Sequence, residues 1–263
     1  MRDFLIKKNL SSVLGVMAFL LGQSPSYAQS EPSIKSAGAD LANFPNSAFT
    51  LPEGQAYVEV SPVNYSGSSA NAPSQYSAGY LLRYGLFDDL ELRLMSSGIT
   101  VIDDAQKTTG MSAQTFDFKW HLADANEEML LPAVGLEFAL QTNLASRAFQ
   151  GGTNPSLSLN FDQRLPYEID IEYNLGFVSQ QNEVGQSQYQ LALSWAIQRE
   201  IVTDVAVFAN GYTNTANGLT TSAIGAGLQW IPVERLALFA NVSGGVTKTT
   251  PSVFSLVGFA VAF

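Results

Sequence analysis

The 263-residue chain has no cysteine and a single histidine, His121. The first absence excludes disulfides, thiolate metal sites and cysteine nucleophiles, and the second excludes zinc sites built from several histidines. Basic residues are also scarce, with 13 Lys+Arg against 23 Asp+Glu and a formal charge of -10. No basic stripe is available to replace phosphate counterions, so nucleic acid is not an expected partner. No serine stands in a G-x-S-x-G elbow, and neither a P-loop nor a dinucleotide fingerprint occurs. Enzymatic activity and cofactors are therefore not expected, and His121 is read as a polar residue near a turn rather than a base.

Long apolar runs are missing as well, apart from one near the N-terminus. There Arg2, Lys7 and Lys8 precede the apolar stretch Leu10 to Leu21, and Ser26-Tyr27-Ala28 ends in a small residue. This order predicts a signal peptide over 1–28, since the apolar stretch is shorter than the roughly 20 residues of a spanning helix. Residues 29–54, rich in Ser, Ala, Pro and Asn without sustained periodicity, read as a flexible leader. A helical membrane protein is excluded beyond this point. The rest is soluble or a barrel.

What the chain does have is alternation. From Gln55 onward, apolar and polar residues exchange places every second position, as on strands with two unlike faces. Twelve strands are predicted, near 55–62, 77–84, 90–96, 114–122, 130–141, 155–162, 167–177, 188–197, 203–210, 222–230, 236–243 and 253–263. In the seventh, Tyr167, Ile169, Ile171, Tyr173, Leu175 and Phe177 face away from Glu168, Asp170, Glu172, Asn174 and Gly176.

Many of these segments are long enough to cross an apolar layer at a tilt. Short links at 85–89, 123–129, 163–166, 198–202 and 231–235 alternate with longer ones at 63–76, 97–113, 142–154, 178–187, 211–221 and 244–252. An all-β, closed antiparallel transmembrane barrel of about twelve strands sorts its connections this way, with short periplasmic turns and longer extracellular loops. A β-sandwich fits the alternation but not the sorting. Tyr84, Trp120, Tyr167, Phe177, Trp195, Trp230 and Phe263 mark strand ends and are candidates for an aromatic girdle; ordinary core packing is the alternative for any one of them.

If the apolar faces meet lipid, the opposite faces enclose the lumen. The candidate lumen residues are Arg83, Glu91, Arg93, Asp117, Lys119, His121, Glu137, Glu168, Asp170 and Glu172. Mixed signs of this kind either bias ion entry or form a saturated network that closes a narrow barrel. The expected partners are outer-membrane lipid, barrel-assembly machinery at the C-terminal strand, and a small-molecule substrate not specified by the residues.

The hairpin Tyr80 to Leu94, YLLRYGLFDDLELRL, resembles the LLRYGLTDRLELRL hairpin of bacterial outer-membrane proteins associated with the meta-pathway of phenol degradation. Leu51 to Gln55 followed by Tyr57, Val58 and Glu59 is similar to that family's P-x-G-x-x-x-x-E approach to the first strand. Leu191 to Trp195 and Val257 to Phe263 resemble its closing strands. Asp89 stands where the family usually has Arg, and Gln141-Thr142-Asn143 where it commonly has an LPTG-like stretch. The resemblance implies an outer-membrane barrel, transporter-like, that passes small molecules, apolar or aromatic ones among them. A non-transporting structural or surface-binding barrel is the alternative function.

Overall fold

The computed structural model describes residues 31–181, 187–216 and 219–263, and the predicted signal peptide lies outside them. The strands are β1 (Ala56–Ser66), β2 (Gln75–Phe87), β3 (Leu90–Ile102), β4 (Thr109–Met111), β5 (Thr115–Ala123), β6 (Ala133–Gln141) and β7 (Asn154–Leu165). They continue as β8 (Ile169–Gln181), β9 (Ser187–Val202), β10 (Val205–Ala216), β11 (Leu219–Val233), β12 (Leu236–Gly245) and β13 (Val253–Ala262). Chain neighbours pair antiparallel, except that β5 pairs with β3 rather than with β4, and β1 pairs with both β2 and β13. With β2 also on β3, twelve strands close a barrel, while the three-residue β4 only extends the upper end of β3.

Closure follows from the sequence pattern. Alternate positions on each strand point outward and carry apolar side chains that remain exposed, among them Phe116, Phe118, Phe138, Leu159, Leu175, Leu191, Leu193, Ile197 and Leu228. An exposed apolar belt of this extent is not a water-facing surface. In hydrocarbon an open sheet edge would leave backbone donors and acceptors unpaired, and the β1–β13 pairing removes that edge. Pro62, which has no N–H to donate, sits where β1 slips register against both of its neighbours. Leu175 lies mid-strand beside Leu159 and Leu193. Leu175→Arg is therefore expected to cost about 2–4 kcal/mol, read as a lower urea midpoint for folded-barrel migration on gels.

The connections sort largely as predicted, with differences that have local causes. One rim carries the tight links 88–89, 166–168, 203–204 and 234–235 together with 124–132. The link predicted at 211–221 is mostly strand, because β10 and β11 stay paired as far as Ala216 and Leu219. Tyr167 and Glu168 belong to a turn rather than to the seventh strand: both have positive φ, 68° and 57°, and the alternation simply continues into the turn.

The largest departure concerns residues 32–54. The segment read as a flexible leader lies inside the barrel as a packed plug without helix or strand. Ile34, Ala37, Ala39, Ala42 and Leu51 join Tyr57, Ala237, Phe239, Ala260 and Ala262 in one apolar cluster. Small residues let the plug's backbone approach the wall closely. At Gly135 a Cβ would stand 2.8 Å from the Ala48 carbonyl oxygen, and at Gly85 it would stand 2.1 Å from that of Pro52. Both glycines keep inward positions clear for the plug.

Candidate functional site

The inward faces of β1, β2, β3, β5 and β6 bring seven charged residues together, and the plug adds an eighth. Arg83 donates from Nε to Glu91 at 2.7 Å and from Nη1 to Glu59 at 3.0 Å and to the Gly38 carbonyl at 2.9 Å. Its guanidinium lies over the Tyr57 ring, 5.3 Å from the centroid. Arg93 Nη1 stands 3.2 Å from Asp117 and 3.0 Å from Glu137, held by charge rather than by aligned hydrogen bonds. Its directed bond, at 3.3 Å, goes from Nη2 to Asn46 Oδ1 of the plug.

Asp40 is the plug's contribution, its carboxylate 2.6 Å from Lys119 Nζ, 3.4 Å from Arg93 and 3.6 Å from Arg83. Lys119 also donates to the Phe49 carbonyl at 3.2 Å. Buried charges are tolerable only when paired and hydrogen-bonded, and here the plug supplies much of the pairing. Its backbone is used as well. Glu59 accepts from the amides of Asp40 and Leu41, Glu91 from that of Leu51, and Asp162 from that of Ala48 at 2.5 Å and from Ser47 Oγ at 2.7 Å.

Of the predicted lumen residues, Arg83, Glu91, Arg93, Asp117, Lys119 and Glu137 thus form one network. His121 faces inward near the rim of short turns, stacked on Phe49 with ring centroids 5.3 Å apart. Its Nδ1 is 3.0 Å from the Ala48 carbonyl, which can only accept, so Nδ1 carries the hydrogen. Glu172 is inward but separate from the network, accepting from Asn43 Nδ2 at 2.9 Å and Gln198 Nε2 at 3.2 Å. Asp170 is half-exposed beside Arg164 at the rim. Glu168 is not a lumen residue, since it sits in the exposed 166–168 turn. Sequence reasoning missed Glu59 and Asp162, although both occupy inward positions of alternating strands, and Asp40, which no periodicity marks.

The aromatic candidates divide in the same way. Tyr84, Trp120, Trp230 and Phe263 lie near the short-turn rim, and Trp120, Trp230 and Phe263 are about half exposed on the outside, as a girdle requires. Tyr167, 83% exposed, stands on the turn itself. Phe177 packs edge-on to Tyr189 in the half of the barrel toward the longer loops. Trp195 is mid-strand, opposite Tyr173 and Gly211, so it belongs to the belt rather than to its edge.

At the short-turn rim the plug is tied by its start. Ile34 N donates to the Glu234 carbonyl at 2.7 Å, and Lys35 Nζ lies 2.6 Å from Asp204 and 3.5 Å from Glu234. The hydrogen bond to Asp204 raises the Lys35 ammonium above its ordinary pKa. Two spaces remain inside the barrel. A cavity of about 350 Å³ lies on the loop side of the plug, lined by Phe44, Asn46, Asn174, Ser194, Tyr212 and Asn214 among others. A smaller one of about 50 Å³ lies toward the short-turn rim, between Asp40, Asn43 and Ser47 of the plug and Glu172, Gln198 and Gln229 of the wall.

Known proteins share this architecture. An outer membrane channel from Pseudomonas putida F1 superposes with a TM-score of 0.61 at 14% identity, covering 83% of this chain and 99% of that one. The NanC porin gives 0.56 at 8% identity over 78% and 98% of the two chains. The KdgM porin, solved in complex with disordered oligogalacturonate, gives 0.54 at 8% identity over 80% and 99%. These likenesses are of fold. A comparison with curated proteins finds no match to the chain. The model of the family described as "Putative MetA-pathway of phenol degradation" matches residues 39–263, from within the plug to the final phenylalanine, and the chain belongs to that family of outer-membrane β-barrels.

Proposed function

We propose that the protein is a passive outer-membrane channel whose bore is set by the plug, and that it admits small molecules, aromatic ones among them. One observation carries this reading: a closed barrel with an apolar exterior keeps a cavity of about 350 Å³ on the loop side of its plug. Porin and channel likenesses and membership of a family associated with phenol degradation support it. Phe44 and Tyr212, edge-on at 4.9 Å, offer an aromatic wall beside the amides and hydroxyls of the cavity. No enzymatic step belongs to this reading. The charged groups inside the barrel are engaged with one another and with the plug.

The density of that network favours a second reading, a barrel that is held shut and serves as a structural or surface-binding protein. Liposome swelling separates the two. Proteoliposomes containing the folded barrel are expected to swell in small neutral solutes, phenol-sized alcohols included, faster than protein-free vesicles. A heat-modifiable, correctly folded barrel that never speeds swelling and never carries current in planar bilayers would establish the second.

A further inference from the structure

The plug is anchored very unevenly around the barrel. Its charged and backbone bonds go to β1, β2, β3, β5, β6 and β7, and its apolar residues pack on β12, β13 and β1. Toward β8–β11 the polar contacts of the plug's interior part are few. Asn43 donates to Glu172 at 2.9 Å, Asn46 N donates to Asn174 Oδ1 at 2.6 Å, and Asn174 Nδ2 returns a bond to the Asn46 carbonyl at 2.8 Å. Both cavities lie against this weakly held face. Asn174 borders the larger cavity and Glu172, the next inward residue on β8, borders the smaller one, as Ser194 and Gln198 do on β9.

We propose that solute crosses beside the seated plug, along β8–β11, through a gate formed by Asn43 and Asn46 against Glu172 and Asn174. The proposal rests on the channel reading above and gives it a route and a selectivity. A gate of amides can exchange its own hydrogen bonds for those of a solute at little net cost. Two groups on this face are free to do so: Asn210 on β10 is fully buried with both amide atoms unbonded, and Asn43 Oδ1 is unbonded too. Among the described residues Glu172 has amide partners and no cation within ion-pair distance, so in its ionised form it adds a negative charge that disfavours anions at the gate. The solutes that fit are small, neutral or cationic, and carry hydrogen-bonding groups; the Phe44–Tyr212 edge accommodates an aromatic ring above the gate. The selectivity principle is that of charged and dipolar constrictions in channels generally.

The absence of native cysteine makes the test direct. Single-cysteine variants of the full chain are placed in planar bilayers in KCl and exposed to a cationic methanethiosulfonate reagent, after heat-modifiable migration has verified folding. Ser194→Cys and Gln198→Cys, on the two sides of the gate, are expected to lose most of their current. Leu81→Cys, on the anchored face and 1% exposed, is expected to lose none. Asn174→Ala is expected to raise conductance about threefold, and Glu172→Gln to weaken cation preference while conductance is kept. Modification of Leu81→Cys as fast as Ser194→Cys would mean that the whole plug leaves, and overturns the route. A conducting barrel indifferent to modification at 194 and 198 overturns it as well. Absence of current in every variant, including one whose plug is replaced by a Gly/Ser stretch, removes the channel reading itself.

Discussion

Replacing residues 39–51 with a Gly/Ser stretch of equal length is expected to raise single-channel conductance about tenfold, because twelve strands enclose a passage that the plug otherwise fills. The same variant should favour cations. On the inward faces away from the rims the strands supply Glu59, Glu91, Asp117, Glu137, Asp162 and Glu172, the last two only partly buried, against Arg83, Arg93 and Lys119. With the plug removed these acids face water, and their excess fixes the sign of the reversal potential in a KCl gradient. Screening gives a further check. The preference should be clear near 0.1 M salt, where the Debye length is about 10 Å, and small near 1 M, where it is about 3 Å. Unchanged conductance would mean that the plug does not limit the passage. Anion preference would mean that the lumen charges are not those that ions meet.

The second large effect is on stability. Arg83 is 2% exposed and touches the carboxylates of Glu59 and Glu91 at 3.0 and 2.7 Å, with Asp40 at 3.6 Å. Arg83→Met keeps much of the side-chain volume but leaves those acids buried beside one another. Removing one partner of a buried ion pair costs about 3–5 kcal/mol, far more than the pair itself is worth. A urea titration of the folded gel band should report a loss of that order. The double variant Arg83→Met with Glu91→Gln should recover part of it, since one of the stranded charges is then gone. A loss within about 1 kcal/mol, as for an exposed ion pair, would show that water reaches the network freely.

Much of the barrel could be read from alternation because each strand faces two solvents. Where lipid touches one face and the polar lumen the other, as in Tyr173 to Phe177 on β8, the pattern is unambiguous. It fades where both faces leave the apolar layer. The upper ends of β10 and β11, GYTNTA and LTTS, are polar on both sides and were read as loop for that reason. Running past a strand end misplaced Glu168 and Tyr167, because a turn of non-glycine residues with positive φ carries no glycine to announce it.

The plug was illegible for a different reason. It binds through backbone amides, carbonyls and small side chains such as Ala39, Ala48 and Ser47, which have no period. The signal available lay on the wall instead. Three cations among an excess of inward acids, with glycines at the inward positions 85 and 135, indicate an internal partner that supplies N–H donors.

Both ends of the plug are fixed at one mouth of the barrel, Ile34 and Lys35 on the 204 and 234 turns and Gly54 on Gly85 beside β1. It is thus a loop with two roots. Most of its polar partners stand on strands from β1 to β8, all of which precede the C-terminal hairpins in the chain. Its apolar residues meanwhile pack on Tyr57 of β1 and on Ala260 and Ala262 of β13, so one loop spans the seam at which the first and last strands meet.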